Sequence, residues 1–413
     1  MIDLATPMTA TRERREAPFG LGLALTCIVL VALDLRPGLV SIGPILPAVR
    51  AQFGMSHTMA ALLTSIPDVL LGLLAWPTPW LARRYGRDNV IIVALVVLGL
   101  AMIGRALAPN VPTLLLTTAG VGAGIAISGA LIGTFIKASF PARAAFVMGI
   151  YATALSMGST LSAALTGPIV RLAGGGWRVG AGSWALLGVT AIGAWLVIAN
   201  RSRTAVGGAA APVHHRLPWR NGTAWLIALY FGGQNLLFYA LVSWLAPLFQ
   251  EQGFSMTTAG LVLASFTLAF TVANPIFGAL SRSDDRRPWL GLTAGLAAAG
   301  LAGLVMGPMT APFILVPLIA FGMGGSFTLG MTLPLDNTNS AEEATAWNAF
   351  VLMVGYLIAA AGPLSVGALR DLTGGFSASM VLLLAVAIGM SALTPFLQPH
   401  AHKLARKTQK TAT

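Results

Sequence analysis

Three charged side chains stand inside stretches of this sequence that are otherwise apolar: Asp34 and Arg36, two positions apart, and Asp68. A guanidinium in a low-dielectric setting is an anion receptor, because its planar fork of N–H donors matches an oxyanion and its charge is fixed. A carboxylate in such a setting is pulled two ways, toward the neutral form by burial and toward the ionised form by a nearby cation. A group balanced like that can carry a proton when a bound solute alters the balance, which makes Asp34 and Asp68 candidates for proton coupling. The alternative is a permanent ion pair between Arg36 and one of these acids that only locks helices together. Pro37 and Gly38 follow Arg36 directly. Proline removes a backbone donor, so the spacing predicts a break or bend there, with freed backbone groups beside the guanidinium.

A second polar group is Gln234, Asn235, Phe238 and Tyr239, which fall at i, i+1, i+4 and i+5 on one broad helix face. Amides and a phenol beside an aromatic ring can orient a small polar solute. They can equally bond neighbouring helices, at a gain of only about 0.6 kcal/mol each in a membrane. Tyr151 and Ser156, and later Trp347 and Asn348, are further candidates to line the same hollow, while Trp244 reads as an interfacial anchor. Nothing here resembles an enzyme centre. No Gly-x4-Gly-Lys-Ser/Thr stretch offers a phosphate cradle, and no His-Glu-x2-His or Cys/His cluster has metal spacing, so neither cofactor nor metal is expected. The single cysteine, Cys27, excludes an intrachain disulfide.

These residues need a scaffold, and composition selects it. Of 413 residues 56% are hydrophobic and only 9% charged, far below the roughly 25% charged content of soluble domains. Apolar runs of about 20 residues or more, long enough to cross a bilayer core, recur along the chain. Because lipid offers no hydrogen-bond partners, such runs are helices or barrel strands, and their length and lack of alternation select helices. The reading is an all-α membrane protein with twelve transmembrane helices. They lie near 19–48, 58–82, 89–108, 111–136, 145–171, 181–200, 222–249, 257–281, 289–307, 311–334, 344–369 and 376–397. The first follows Arg12, Arg14 and Arg15 as a signal peptide would, but it runs far beyond a signal core and reads as a span that stays.

With the N-terminus cytoplasmic, inner segments hold 19 of the 25 Lys and Arg residues, outer segments hold Arg50, Arg171, Arg178 and Arg370, and Arg36 and Arg105 fall within spans. That bias follows the positive-inside rule and places both termini inside a bacterial-type inner membrane. It also accounts for the net charge of +12 without nucleic acid as a partner. Arg105, about a turn from the outer end of the third span, is expected to snorkel. Asp336, Glu342 and Glu343 lie near Arg282, Arg286 and Arg287 and suggest an inner salt-bridge gate or a solvated acidic loop.

The two halves echo each other. Gly54 to Leu62, opening the second span, resembles Gly253 to Leu261, opening the eighth, and Gly167-Pro168 in the fifth matches Gly362-Pro363 in the eleventh. A parallel repeat of two six-helix bundles follows, residues 1–200 and 222–399, joined by a polar linker at 201–221 and followed by a basic tail at 400–413.

Leu81-Ala82-Arg83-Arg84-Tyr85-Gly86-Arg87-Asp88 resembles the loop between helices 2 and 3 of the major facilitator superfamily, although Arg84 stands where that family has an aspartate. Gly158 with Gly167-Pro168 partly resembles the helix-5 motif of its antiporters. Leu35-Arg36-Pro37-Gly38 through Leu46, Phe231 to Asn235 with Trp244 to Pro247, and Gly322 to Phe327 with Asp336 beyond resemble helices 1, 7 and 10 of the cyanate permease and nitroimidazole transporter branch. The resemblance implies a major facilitator fold, with Arg84, Arg87 and Asp336 as gating residues. It also implies a secondary transporter for a small solute, a small anion or weak acid of cyanate type; the expectation is a monomer with a proton as coupling ion, carried by Asp34 or Asp68. Proton-coupled efflux of small drugs or nitro-heterocycles is the alternative. A membrane sensor is the reading outside transport, and the short tails argue against it.

Overall fold

An apolar stretch in lipid can satisfy its backbone groups internally only by coiling, and the computed structural model is helical throughout, with no strand among the described residues. It describes residues 20–140, 143–202, 217–281, 285–307, 310–338 and 340–398. Most of the expected linker, the basic tail and Arg282 lie outside them, as does the Glu342 side chain. Twelve helices are long and apolar enough to cross a membrane: Leu21–Phe53, His57–Leu74, Arg87–Leu107, Val111–Ser139, Phe146–Leu172 and Trp177–Arg201, then Gly222–Glu251, Met256–Leu280, Arg287–Met306, Pro312–Asp336, Glu343–Thr373 and Ser377–Phe396. We number them spans 1 to 12, and call the side where span 1 begins the N-terminal face and the other the far face.

The echo between the halves is a shared turn. Gly54 and Gly253 take positive φ (61° and 93°). Two residues later Ser56 and Ser255 accept the N–H of Met59 and Thr258 at 3.1 and 3.0 Å, capping spans 2 and 8 alike. Span 2 stops at Leu74, short of its expected end at 82, because Pro77 brings no donor to the next turn; a short helix, Thr78–Tyr85, follows.

Packing repeats six spans on. Within the first half span 1 packs on 5 and 6, span 2 on 4, and span 3 on 4 and 6; within the second, 7 packs on 11 and 12, 8 on 10, and 9 on 10 and 12. The halves meet through spans 2 and 11, 5 and 8, and 1 and 7, which is a pseudo-twofold seam. The approach is close enough to require glycine. A Cβ on Gly260 would stand 2.5 Å from the Ala163 carbonyl oxygen, and one on Gly367 would stand 2.6 Å from that of His57.

The seam ends at the far face in a clasp between residues 314 positions apart. Asp371 of span 11 accepts the backbone N–H groups of His57 and Thr58, both at 2.8 Å, and the Thr58 hydroxyl at 2.7 Å. One half thus caps a helix of the other with a carboxylate, placed where the helix dipole favours negative charge. The His57 ring sits 2.6 Å from Asp371 through Nδ1 and 2.5 Å from Arg50 through Nε2. Nδ1–H donating to the carboxylate and Nε2 accepting from Arg50 satisfies both contacts. Glu251 lies 3.6 Å from the same ring and binds Arg370 at 3.0 Å. Trp244, expected at the interface, is instead buried beneath this cluster, its indole N–H bonded to the Pro363 carbonyl at 2.9 Å.

Two further expectations change. Arg105 does not snorkel: it is wholly buried, and its guanidinium nitrogens have no hydrogen-bond partner among the described residues. The start of span 6 folds over that end of span 3, and Arg178 takes the carbonyls of Ala106 and Ala108 at 2.7 and 2.9 Å. The three gating candidates do not bridge the halves. Arg87 binds its neighbour Asp88 at 3.0 Å and lies 4.7 Å over the Phe135 ring, Arg84 lies against Trp80 and Tyr85, and Asp336 accepts from Arg286 of its own half at 2.5 Å. Among the described residues none of the three makes an ion pair with the other half, and the clasp of His57 and Thr58 with Asp371 joins the halves at the far face.

Two outcomes follow. A Cβ on Gly158 would lie 2.5 Å from the Leu33 carbonyl oxygen, so Gly158→Val should cost about 1–3 kcal/mol by overpacking; an unchanged thermal midpoint would contradict the packing of spans 1 and 5. Asp371→Asn should speed amide exchange at His57 and Thr58 by roughly tenfold or more, since hydrogen bonds to a charged acceptor contribute about 1.5–3 kcal/mol. Unchanged exchange would mean that the clasp does not hold the far face.

Candidate functional site

The first span delivers its cation at a joint. Helix runs from Leu21 to Leu35, resumes from Pro37 to Val40, and resumes again from Ile42 to Phe53, with interruptions at Arg36 and Ser41. The expected break is therefore present. Arg36 is half-buried and faces a cavity of about 260 Å³. Its Nη1 donates to the Tyr239 hydroxyl at 3.3 Å, and the rings of Tyr239 and Tyr356 lie 6.2 Å apart. Arg36 also lies within electrostatic reach of Tyr151, Tyr356 and Asp68.

Spans 1, 2, 4 and 5 supply most of the wall, and Leu352 and Tyr356 of span 11 close it from the other half. Leu71, Ala75, Ala130 and Tyr151 belong to the parts of their spans nearer the N-terminal face, so the hollow extends from Arg36 that way while the clasp closes the far side. Tyr356 joins the site without a motif or helix-face pattern that marks it. Composition held a clue to it: the chain has five tyrosines, and three of them gather around Arg36.

The two acids separate. Asp68 is wholly buried on the Arg36 side, and neither carboxylate oxygen has a hydrogen-bond partner among the described residues. Asp34 is as buried and as unpartnered, but it lies against span 6, where a Cβ on Gly188 would be 3.8 Å from its Oδ1. Two residues along a helix turn the chain by about 200°, so Asp34 and Arg36 point to opposite sides of span 1. No hydrogen-bonded ion pair of Arg36 with either acid is present among the described residues.

The span 7 face divides as well. Tyr239 reaches Arg36, whereas Asn235 donates to the Phe231 carbonyl at 2.8 Å and Phe238 packs on Phe266 and Phe270 at 5.7 and 4.8 Å. Gln234 is wholly buried with its amide unpartnered among the described residues, and none of the three lines the cavity. Trp347 lines a different recess, about 870 Å³ at the N-terminal face with Trp219, Arg220 and Glu343. It precedes Tyr356 by nine residues, about 13 Å along a helix, which is why it misses the cavity. Asn348, beside it, is likewise absent from the wall.

This geometry, a discontinuous first span with a cation facing a hollow between two six-helix bundles, has relatives. The sequence profile of the Major Facilitator Superfamily matches residues 25–363. The chain is 32% identical over 375 residues to the cyanate transport protein CynX of Escherichia coli (strain K12), covering 90% of this chain and 96% of that one. It is 29% identical over 364 residues to the 2-nitroimidazole transporter of the same organism, covering 87% and 91%. Among solved structures, a bacterial homolog of the human lysosomal transporter Spinster, inward-facing and unoccupied, superposes with a TM-score of 0.77 at 18% identity, covering 91% of this chain and 96% of that one. The chain belongs to the Major Facilitator Superfamily, and is a multi-pass membrane transporter of small solutes from its cyanate and nitroimidazole transporter-like branch.

Proposed function

We propose that this transporter carries a small anion or weak acid across the bacterial inner membrane by alternating access, with Arg36 as the solute-binding cation. The observation that carries this reading is the Arg36 guanidinium. A charge at mid-span costs at least ~2.5–3.5 kcal/mol even on the lenient insertion scale, yet this one opens on a cavity, and among the described residues its hydrogen bond goes to the phenol of Tyr239. An anion would complete it. The name of the relative CynX, a cyanate transport protein, points the same way.

In this reading both termini are cytoplasmic, the chain acts as a monomer among membrane lipids, and the bundles 1–200 and 222–399 rock about the 201–221 linker. The closed far face and the cavity on the N-terminal side then correspond to an inward-facing state. A proton is the coupling ion. Arg36 and Asp68 offset each other's charge, so an arriving anion unbalances the site unless Asp68 takes up a proton with it. Asp68 fits that task better than Asp34, because it lies within electrostatic reach of Arg36 whereas Asp34 lies against span 6. Proton-driven export of small heterocycles is the second reading, favoured by the same unpartnered Asp68 and by the printed name of the 2-nitroimidazole transporter.

Arg36→Ala should weaken anion binding at least about thirtyfold, as removal of a buried charge partner does. Arg36→Lys should fail nearly as badly, because an ammonium lacks the planar fork. Uptake of cyanate, nitrate and small carboxylates into proteoliposomes measures this, and normal uptake by both folded variants would end the proposal. Asp68→Asn should abolish accumulation driven by an imposed pH gradient while leaving exchange at equal pH; gradient-driven accumulation at the parent rate would remove Asp68 from coupling.

A further inference from the structure

The cavity wall is far less polar than the anion site at its end. Of its twelve lining residues only Arg36, Tyr151 and Tyr356 carry a polar side-chain atom, which leaves nine with none. Those three also lie within electrostatic reach of one another, so the polar side chains form one group in an otherwise apolar wall. The remaining wall, including Leu71, Ala75, Ile125, Ala130, Leu155 and Leu352, offers nothing to a hydrogen-bond acceptor.

A small inorganic anion loses hydration on every side when it enters such a space, and an unpaired acceptor facing hydrocarbon is costly. Arg36 and two phenols could replace the lost bonds on one side only. A solute that is itself divided, with a charged head and an apolar body, meets each wall with matching chemistry. Small-molecule pockets generally have this plan, apolar walls with a few polar groups that fix orientation. The volume limits the body. About 260 Å³ lies just under the roughly 300–1,000 Å³ of sites for drug-sized ligands, which admits about one ring.

We propose that the solute is an organic monoanion, with one acidic head at Arg36, Tyr151 and Tyr356 and an apolar body of about one ring against Leu71, Ala75, Ile125 and Leu352. This rests on the anion-site reading above and narrows it. Tyr151 and Tyr356 become orienting groups: their hydroxyls turn the head toward the guanidinium, and the ring follows into the apolar part of the hollow.

The test is a binding series on the purified full-length protein, by thermal shift and calorimetry, with acetate, benzoate, cyclohexanecarboxylate, nitrate, cyanate and uncharged benzamide. Benzoate and cyclohexanecarboxylate should bind at least about tenfold more tightly than acetate, since each methylene in an apolar pocket is worth about 10-fold or more. Benzamide should bind far more weakly than benzoate. Ala130→Phe, a change at an exposed side chain on the cavity wall, should weaken benzoate and leave nitrate unaffected, while Arg36→Ala should remove all the anions. If nitrate or cyanate binds more tightly than benzoate, depends on Arg36 and ignores Ala130→Phe, the organic-anion inference is overturned and the anion site stands. If benzamide equals benzoate, the acidic head is overturned. If binding of every anion survives Arg36→Ala, the reading beneath it falls as well.

Discussion

A guanidinium held in the middle of a membrane-spanning helix is the constraint on which the rest of this molecule turns. It is tolerated only where water, a counter-charge or a polar solute can reach it, and here each neighbouring feature serves that access. Pro37 breaks the helix and sets Arg36 at a joint. Tyr239 comes from the other half to accept one of its N–H groups. Asp68 lies within electrostatic reach of it, without a hydrogen bond to it among the described residues.

The seam between the halves shows how such a site can be open to one side only. Spans 2 and 11 and spans 5 and 8 meet through glycines whose missing side chains bring backbones together, so the contact is broad but depends on close fit. At the far face it ends in the His57–Asp371 clasp, where a carboxylate of one half satisfies the first N–H groups of a helix of the other. Such bonds are charge-assisted and form only when both halves are in register. They are suited to being made and broken as a unit. The cavity is not symmetric about this seam, since four spans of the first half wall it against one of the second. The packing is repeated between the halves, but the chemistry is not.

Much of the architecture was legible in the sequence because lipid imposes strict rules. Apolar length gave the twelve spans, and the Gly-x-Ser turn at Gly54 and Gly253 marked the repeat that packing bears out. The break at Arg36 followed from Pro37. The site was only partly legible. Helical periodicity put Gln234, Asn235, Phe238 and Tyr239 on one face, but that face is broad, and the partner helices direct Phe238 into span 8 and Tyr239 toward Arg36. Trp347 failed on depth, because the start of span 11 lies outside the hollow. Arg105 failed because the turn of span 6 that covers it is remote in sequence. His57 and Asp371, 314 residues apart, could not have been paired from one sequence. What was missed is what depends on contacts between distant segments.

If Arg36 takes the solute's charge, a structure determined with a bound anion will place that charge beside it. With nitrate and benzoate each supplied at saturating concentration, the expected result is density in the Arg36 cavity for at least one of them, with an acidic oxygen about 2.7–2.9 Å from a guanidinium nitrogen. Density for both anions elsewhere, with Arg36 sealed between Tyr239 and its neighbours, would contradict it.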